Sequence, residues 1–147
     1  MDLYTRKFEV ISDSLRKLSE IKRENKTFTE YQGSWKNKDI VERNIQKMVE
    51  AIIDMGKMLI ADRKLHEPGN NKEVFKILSE AGLFPLEYIS LIDKIIGMRN
   101  IIVHSYDKIE DTIMYGVLKN NLKDIKKITL FFQGIISEVI KKREKGK

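Results

Sequence analysis

The sequence predicts an all-α fold, an up-and-down bundle of five to six helices, on three observations. Charged residues make up 34% of the 147 positions while Pro is limited to 2 and Gly to 8, a composition suited to exposed helix faces. Apolar residues recur at three- and four-residue spacing through most of the chain, and no segment alternates as a half-buried strand would. The length fits one domain, assigned to residues 1–140, followed by a basic tail over 141–147 that is expected to be disordered.

Each element follows from local pattern. Phe8, Ile11, Leu15, Leu18 and Ile21 form a helical stripe over roughly residues 2–25, with Asp2 as N-cap. From Lys26 to Lys38 the period stops and Phe28, Tyr31 and Trp35 stand among Thr, Gly, Ser and Asn, which reads as a loop. Asp39 then caps a long helix to about Lys64, with Val41, Ile45, Met48, Val49, Ile52, Gly56 and Leu59 on one face. Ala51, Met55 and Met58 widen that arc, as expected for a central helix. Pro68-Gly69-Asn70 marks a loop, Asn71 caps a short helix, and Gly82 ends it as the C′ residue. Pro85 opens the next helix, which stops near His104-Ser105. A last helical stretch begins near Ile109 and is broken at Asn120-Asn121 before the amphipathic run from Leu122 to Val139.

Several classes of function are excluded. Without cysteine there is no disulfide framework, zinc ribbon or thiol nucleophile. No P-loop, dinucleotide-binding, H-E-x-x-H or EF-hand pattern occurs, and neither His is joined by a second metal-binding residue at useful spacing. The first residues lack an apolar signal core and no run approaches a membrane span, so a soluble cytoplasmic protein is expected. Much of the formal charge of +6 sits at the end, where the last seven residues hold five basic side chains and one acidic. The remaining 140 residues are nearly balanced and give no reason by themselves to expect an anionic partner.

Arg99-Asn100-Ile101-Ile102-Val103-His104-Ser105-Tyr106 departs from bundle filler by gathering a guanidinium, an imidazole and a phenol within eight residues. Phosphoryl transfer without a metal needs a proton acceptor and donor near neutrality and fixed positive charge beside the phosphorane, which His and Arg supply. On an unbroken helix, His104 leaves the axis about 140° from Arg99, so the two converge only where the helix ends or loosens. The plain alternative is a surface charge, a helix-end cation and a loop-anchoring tyrosine.

Here the chain resembles a family. Arg99, His104 and Tyr106 match the R-x-x-x-x-H-x-Y motif of HEPN-domain proteins, specifically HepT-like toxins. Glu42-Arg43-Asn44-Ile45-Gln46 and Glu50-Ala51-Ile52-Ile53-Asp54-Met55-Gly56 are similar to its second-helix signature. Phe75-Lys76-Ile77-Leu78, Gly82-Leu83-Phe84-Pro85 and Gly97 to His104 continue the likeness in order, over roughly residues 39–140. The resemblance implies an all-helical homodimer acting as a metal-independent endoribonuclease on messenger or transfer RNA, the toxin of a type VII-like toxin–antitoxin pair. It implies no cofactor, Arg99 and His104 as catalytic residues, and Tyr106 as the acceptor of AMP from an MNT-type minimal nucleotidyltransferase antitoxin that silences the toxin. The alternative is a non-catalytic HEPN partner or nucleotide-binding module beside a nucleotidyltransferase. A poorer one is a basic bundle that binds nonspecifically.

Weaker candidates surround this core. Asp54 stands opposite the predicted core face and is a possible support for Arg99 or a dimer cleft; a solvated position is the plain reading. Asn100 is a possible RNA hydrogen-bonder. Lys119, Lys123 and Lys126 recur on one predicted helix face and are possible RNA contacts. Tyr31 and Trp35 are expected to pack rather than stack on bases, and His66 to be a solvated loop residue.

Overall fold

The computed structural model describes residues 2–104 and 110–145, and these form an all-α bundle without a strand. Seven α-helices follow one another: α1 (Leu3–Glu24), α2 (Phe28–Gln32), α3 (Trp35–Asp62), α4 (Asn71–Glu80), α5 (Ile89–His104), α6 (Asp111–Asn120) and α7 (Leu122–Lys145). None is long and apolar enough to cross a membrane.

The apolar stripes become the core. Ile11, Leu18 and Ile21 of α1 are buried along α3, and Asp2 caps α1 by accepting from the Tyr4 N–H at 2.8 Å. α3 is the central element: it packs against α1, α2, α4, α5 and α6, and buries Val41, Ile45, Met48, Val49, Ile52 and Leu59 among others. That is why its apolar arc is so wide. Phe75 of α4, Phe84 and Phe132 of α7 form a buried aromatic cluster with ring centroids 5.3–6.2 Å apart.

Five boundaries differ from those predicted. The expected loop at 26–38 contains α2, capped by the Thr27 hydroxyl, which accepts from the Glu30 N–H. Five residues are too short to show a helical period. α3 begins at Trp35 rather than after Asp39, because the Ser34 hydroxyl caps it through the Asn37 N–H at 3.2 Å. α4 is capped by Asn70, one residue before the expected Asn71. Its other end is as predicted, with Gly82 at φ 75° and the Leu83 N–H reaching back to the Leu78 carbonyl. Pro85 precedes a single 3-10 turn (Leu86–Tyr88), so the α-helix proper starts at Ile89. Finally, α7 runs to Lys145, so the backbone at 141–145 is helical instead of a disordered tail. Lys is a good helix former, which suits continuation of α7 through Lys141 and Lys142. Residues 146–147 lie outside the described residues.

Candidate functional site

Gln46, Glu50 and Asp54 follow one another at i, i+4 on α3, so they form one polar strip along the helix. Two neighbouring helices take hold of it. Lys7 of α1 donates to Asp54 Oδ2 at 2.8 Å. Arg99 of α5 faces Glu50, with Nη2 3.6 Å from Oε1, an ion pair rather than a hydrogen bond. Gln46 donates to the same Oε1 at 3.2 Å and fixes the carboxylate from the preceding turn.

Arg99 is held from a second side as well. Its Nη1 donates to Asn100 Oδ1 at 3.2 Å, and its side chain is 23% exposed. The buried Nε has no partner among the described residues. The guanidinium is thus anchored at both terminal nitrogens while part of it stays open to an incoming anion, the requirement for binding a phosphate rather than only bracing helices.

His104 is the last residue of α5 and is exposed. Because α5 stays helical through His104, Arg99 and His104 leave its axis about 140° apart, and the structure does not bring the two side chains together. Asn100 and His104, four residues apart, share a face instead. Beyond Met98 the apolar residues of α5 lose their cover: Ile101 is 42% exposed, and Ile102 and Val103 are only partly buried. Tyr106, the expected AMP acceptor, lies outside the described residues.

The weaker candidates separate. Asp54 does not support Arg99; its partner is Lys7, and Glu50, one turn earlier on the same strip, takes the arginine. The sequence carried only the i, i+4 signal that both acids share a face, and helix packing decides between them. Lys119, Lys123 and Lys126 do not occupy one helix face, because the break at Asn121 leaves Lys119 on α6 and the other two on α7. All three are exposed, and Lys119 Nζ sits 5.8 Å from the centroid of the Tyr115 ring. Tyr31 packs as expected, fully buried and stacked on Tyr115 at 5.5 Å. Trp35 does not: at the first turn of α3 it is 67% exposed, with Lys36 Nζ 5.6 Å from its ring centroid. His66 is exposed in its loop. Among the described residues, no three His, Cys, Asp or Glu side chains gather as a metal site.

Comparison with known proteins converges on one family. A family model described as Ribonuclease HepT-like matches residues 11–130, a span that contains Glu50, Arg99 and His104. The chain is 24% identical over 123 residues to the mRNA nuclease HepT of Shewanella oneidensis, covering 84% of this chain and 90% of that protein. Its fold matches the tri-AMPylated HEPN toxin of Shewanella oneidensis in complex with an MNT antitoxin, with a TM-score of 0.80 and 21% identity. That superposition covers 91% of this chain and 98% of the other. The fold also matches YutE of Bacillus subtilis, a cytosolic protein of unknown function, at a TM-score of 0.74, 14% identity and coverage of 91% and 90%.

Proposed function

From the premise that this chain belongs to the Ribonuclease HepT-like family, we propose that it is the toxin of a type VII-like toxin–antitoxin pair, a metal-independent endoribonuclease. The observation that carries this reading is the family match running through α5, where a doubly anchored, partly open Arg99 precedes an exposed His104. The substrate is RNA, messenger or transfer; the Shewanella relative is described as an mRNA nuclease.

The reaction in this reading is attack of a ribose 2′-oxygen on the adjacent phosphorus with departure of the 5′-oxygen. Arg99 supplies fixed positive charge to the phosphorane, and His104 moves the proton between the 2′-hydroxyl and the leaving oxygen. Asn100 orients the guanidinium. Since α5 points Arg99 and His104 apart, a homodimer that brings His104 of a second copy toward Arg99 completes the site. The uncovered apolar end of α5 around Ile101 supports such a partner.

Silencing is assigned to Tyr106. An MNT-type nucleotidyltransferase joins the tyrosine oxygen to the α-phosphorus of ATP and releases pyrophosphate, and the new phosphodiester competes with RNA for Arg99. The tri-AMPylated state of the Shewanella toxin in its complex with an MNT antitoxin supports silencing by AMP transfer, and a cytoplasmic location goes with this reading, supported by the cytosolic description of YutE.

The test is cleavage of RNA by the purified chain in EDTA, beside Arg99→Ala and His104→Ala. Cleavage lost in both variants supports the nuclease. No cleavage by the unmodified chain favours the alternative, a non-catalytic module that partners or presents nucleotides to a nucleotidyltransferase.

A further inference from the structure

α4 and α5 pack side by side and leave an open groove of about 440 Å³ between the start of α4 and the middle of α5. One wall carries Asn70, Lys72, Glu73 and Lys76; the other carries Ile96 and Asn100. Ile96, Asn100 and His104 succeed each other at i, i+4 along regular helix, so the α5 wall leads directly to the catalytic candidate. Asn100 is also the residue that holds Arg99, which makes the groove continuous with the site.

The donors in this groove are uncommitted. Lys72 and Lys76 are exposed, one turn apart on α4, and neither is in an ion pair among the described residues. Asn100 spends its oxygen on Arg99, and its amide nitrogen has no acceptor among the described residues. The carboxylate of Glu73 is the opposing charge, but it is tied to the loop: Oε2 accepts from the Gly69 N–H at 2.6 Å. The groove therefore offers two ammonium groups and the amides of Asn70, Asn71 and Asn100, with one carboxylate tied to the preceding loop. It has no aromatic ring on which a base can stack.

We propose that this α4–α5 groove is the track for the RNA backbone next to the scissile bond, with Lys72 and Lys76 on consecutive phosphates and Asn100 at the junction with the catalytic centre. The inference rests on the ribonuclease reading and deepens it. Two ammonium groups without a ring to stack a base engage phosphates, and phosphate contacts add affinity without sequence preference.

The experiment uses the full chain carrying His104→Ala, so that RNA stays intact, and measures fluorescence anisotropy with a 20-nucleotide RNA over a salt series. Adding Lys72→Glu and Lys76→Glu is expected to weaken binding at least tenfold and to lower the salt slope by about 1.4, the share of two single-strand phosphate contacts. Lys72→Arg with Lys76→Arg is expected to retain binding, which separates lost charge from lost fold. A charge-matched control, Lys22→Glu in the last turn of α1 with Lys26→Glu just beyond that helix, is expected to leave the slope within about 0.5 of its starting value. If the groove variant changes affinity and slope no more than this control, the groove assignment fails and the nuclease reading stands. If the unsubstituted chain neither binds nor cleaves RNA, both fall.

Discussion

Glu50 on α3 and Arg99 on α5 are joined across the bundle, Oε1 to Nη2 at 3.6 Å, and the pair is fixed at each end by a neighbour on its own helix. Gln46 steadies the acid and Asn100 steadies the base. With side-chain exposures of 38% and 23%, such a pair contributes little to stability, within about 1 kcal/mol. Its consequence is positional: it sets where the guanidinium points and leaves Nε without a partner among the described residues.

Glu50→Gln is therefore expected to reduce RNA cleavage about tenfold, mainly in kcat, while thermal stability moves by no more than about 1 kcal/mol. Glu50→Asp is expected to recover part of the activity. A substitution that lowered the melting temperature and activity in proportion would show Glu50 to be structural only.

The divergence of Arg99 and His104 on α5 leads to a complementation experiment. Arg99→Ala and His104→Ala are each expected to lose cleavage by roughly 10²–10⁴-fold. If sites are shared across a two-fold axis, unfolding and refolding the two variants together restores one intact site per mixed dimer. A one-to-one mixture is then expected to regain about a quarter of the unsubstituted activity. No recovery in a mixture shown to contain heterodimers would place both groups of a site in one chain.

Two glycines on helices predict opposite responses to the same change. A Cβ on Gly56 of α3 would lie 2.6 Å from Val74 Cγ1 and 3.5 Å from the Phe75 ring, in the close approach of α3 and α4. Val74 is fully buried and stiff, so Gly56→Ala is expected to cost about 1–2 kcal/mol even after its gain in helix propensity. Gly134 of α7 is exposed and a Cβ there meets nothing within 4 Å. Gly134→Ala is expected to stabilise by about 0.5–1 kcal/mol. Denaturant titration of both variants checks the contrast.

What the sequence disclosed and what it withheld divide along a physical line. The stripe Ile11–Leu18–Ile21 and the wide arc of α3 are properties of one helix, readable wherever the period runs for several turns, and both became core. Gly82 was equally readable, because a left-handed residue after an amphipathic run is a local demand. α2 was hidden because five residues complete barely more than a turn. The partner of Arg99 was hidden for a different reason: Glu50 and Asp54 are equivalent on a helical wheel, and only the crossings of α1 and α5 over α3 assign one to Lys7 and the other to Arg99. Trp35 is exposed where packing is expected because its burial depends on where α3 begins, and the Ser34 cap places it on the open first turn.

The same N-terminal end of α3 carries the acid whose charge the fold resists. Burial first, and then the neighbouring charges of Asp39 and Asp111, push the Glu42 carboxyl above its ordinary value, with Lys38 opposing them. Lys38 is itself drawn toward Asp111 of α6, at 3.4 Å, so its relief of Glu42 is shared. A carboxyl whose pKa is raised by folding binds its proton more tightly in the native state. Its contribution is fully present below the ordinary carboxylate value of 4.5 and is lost as pH rises through the raised one. At neutral pH the ionised group is thus a net cost, and Glu42→Gln is expected to raise the melting temperature by a few degrees, within about 1 kcal/mol. The advantage is expected to shrink as the pH is lowered to 4, where the native carboxyl is already protonated. Thermal melts of both proteins between pH 4 and 8 measure the difference directly. A gain independent of pH would assign the effect to packing, and a loss at pH 7 would mean that Lys38 outweighs burial and the two aspartates.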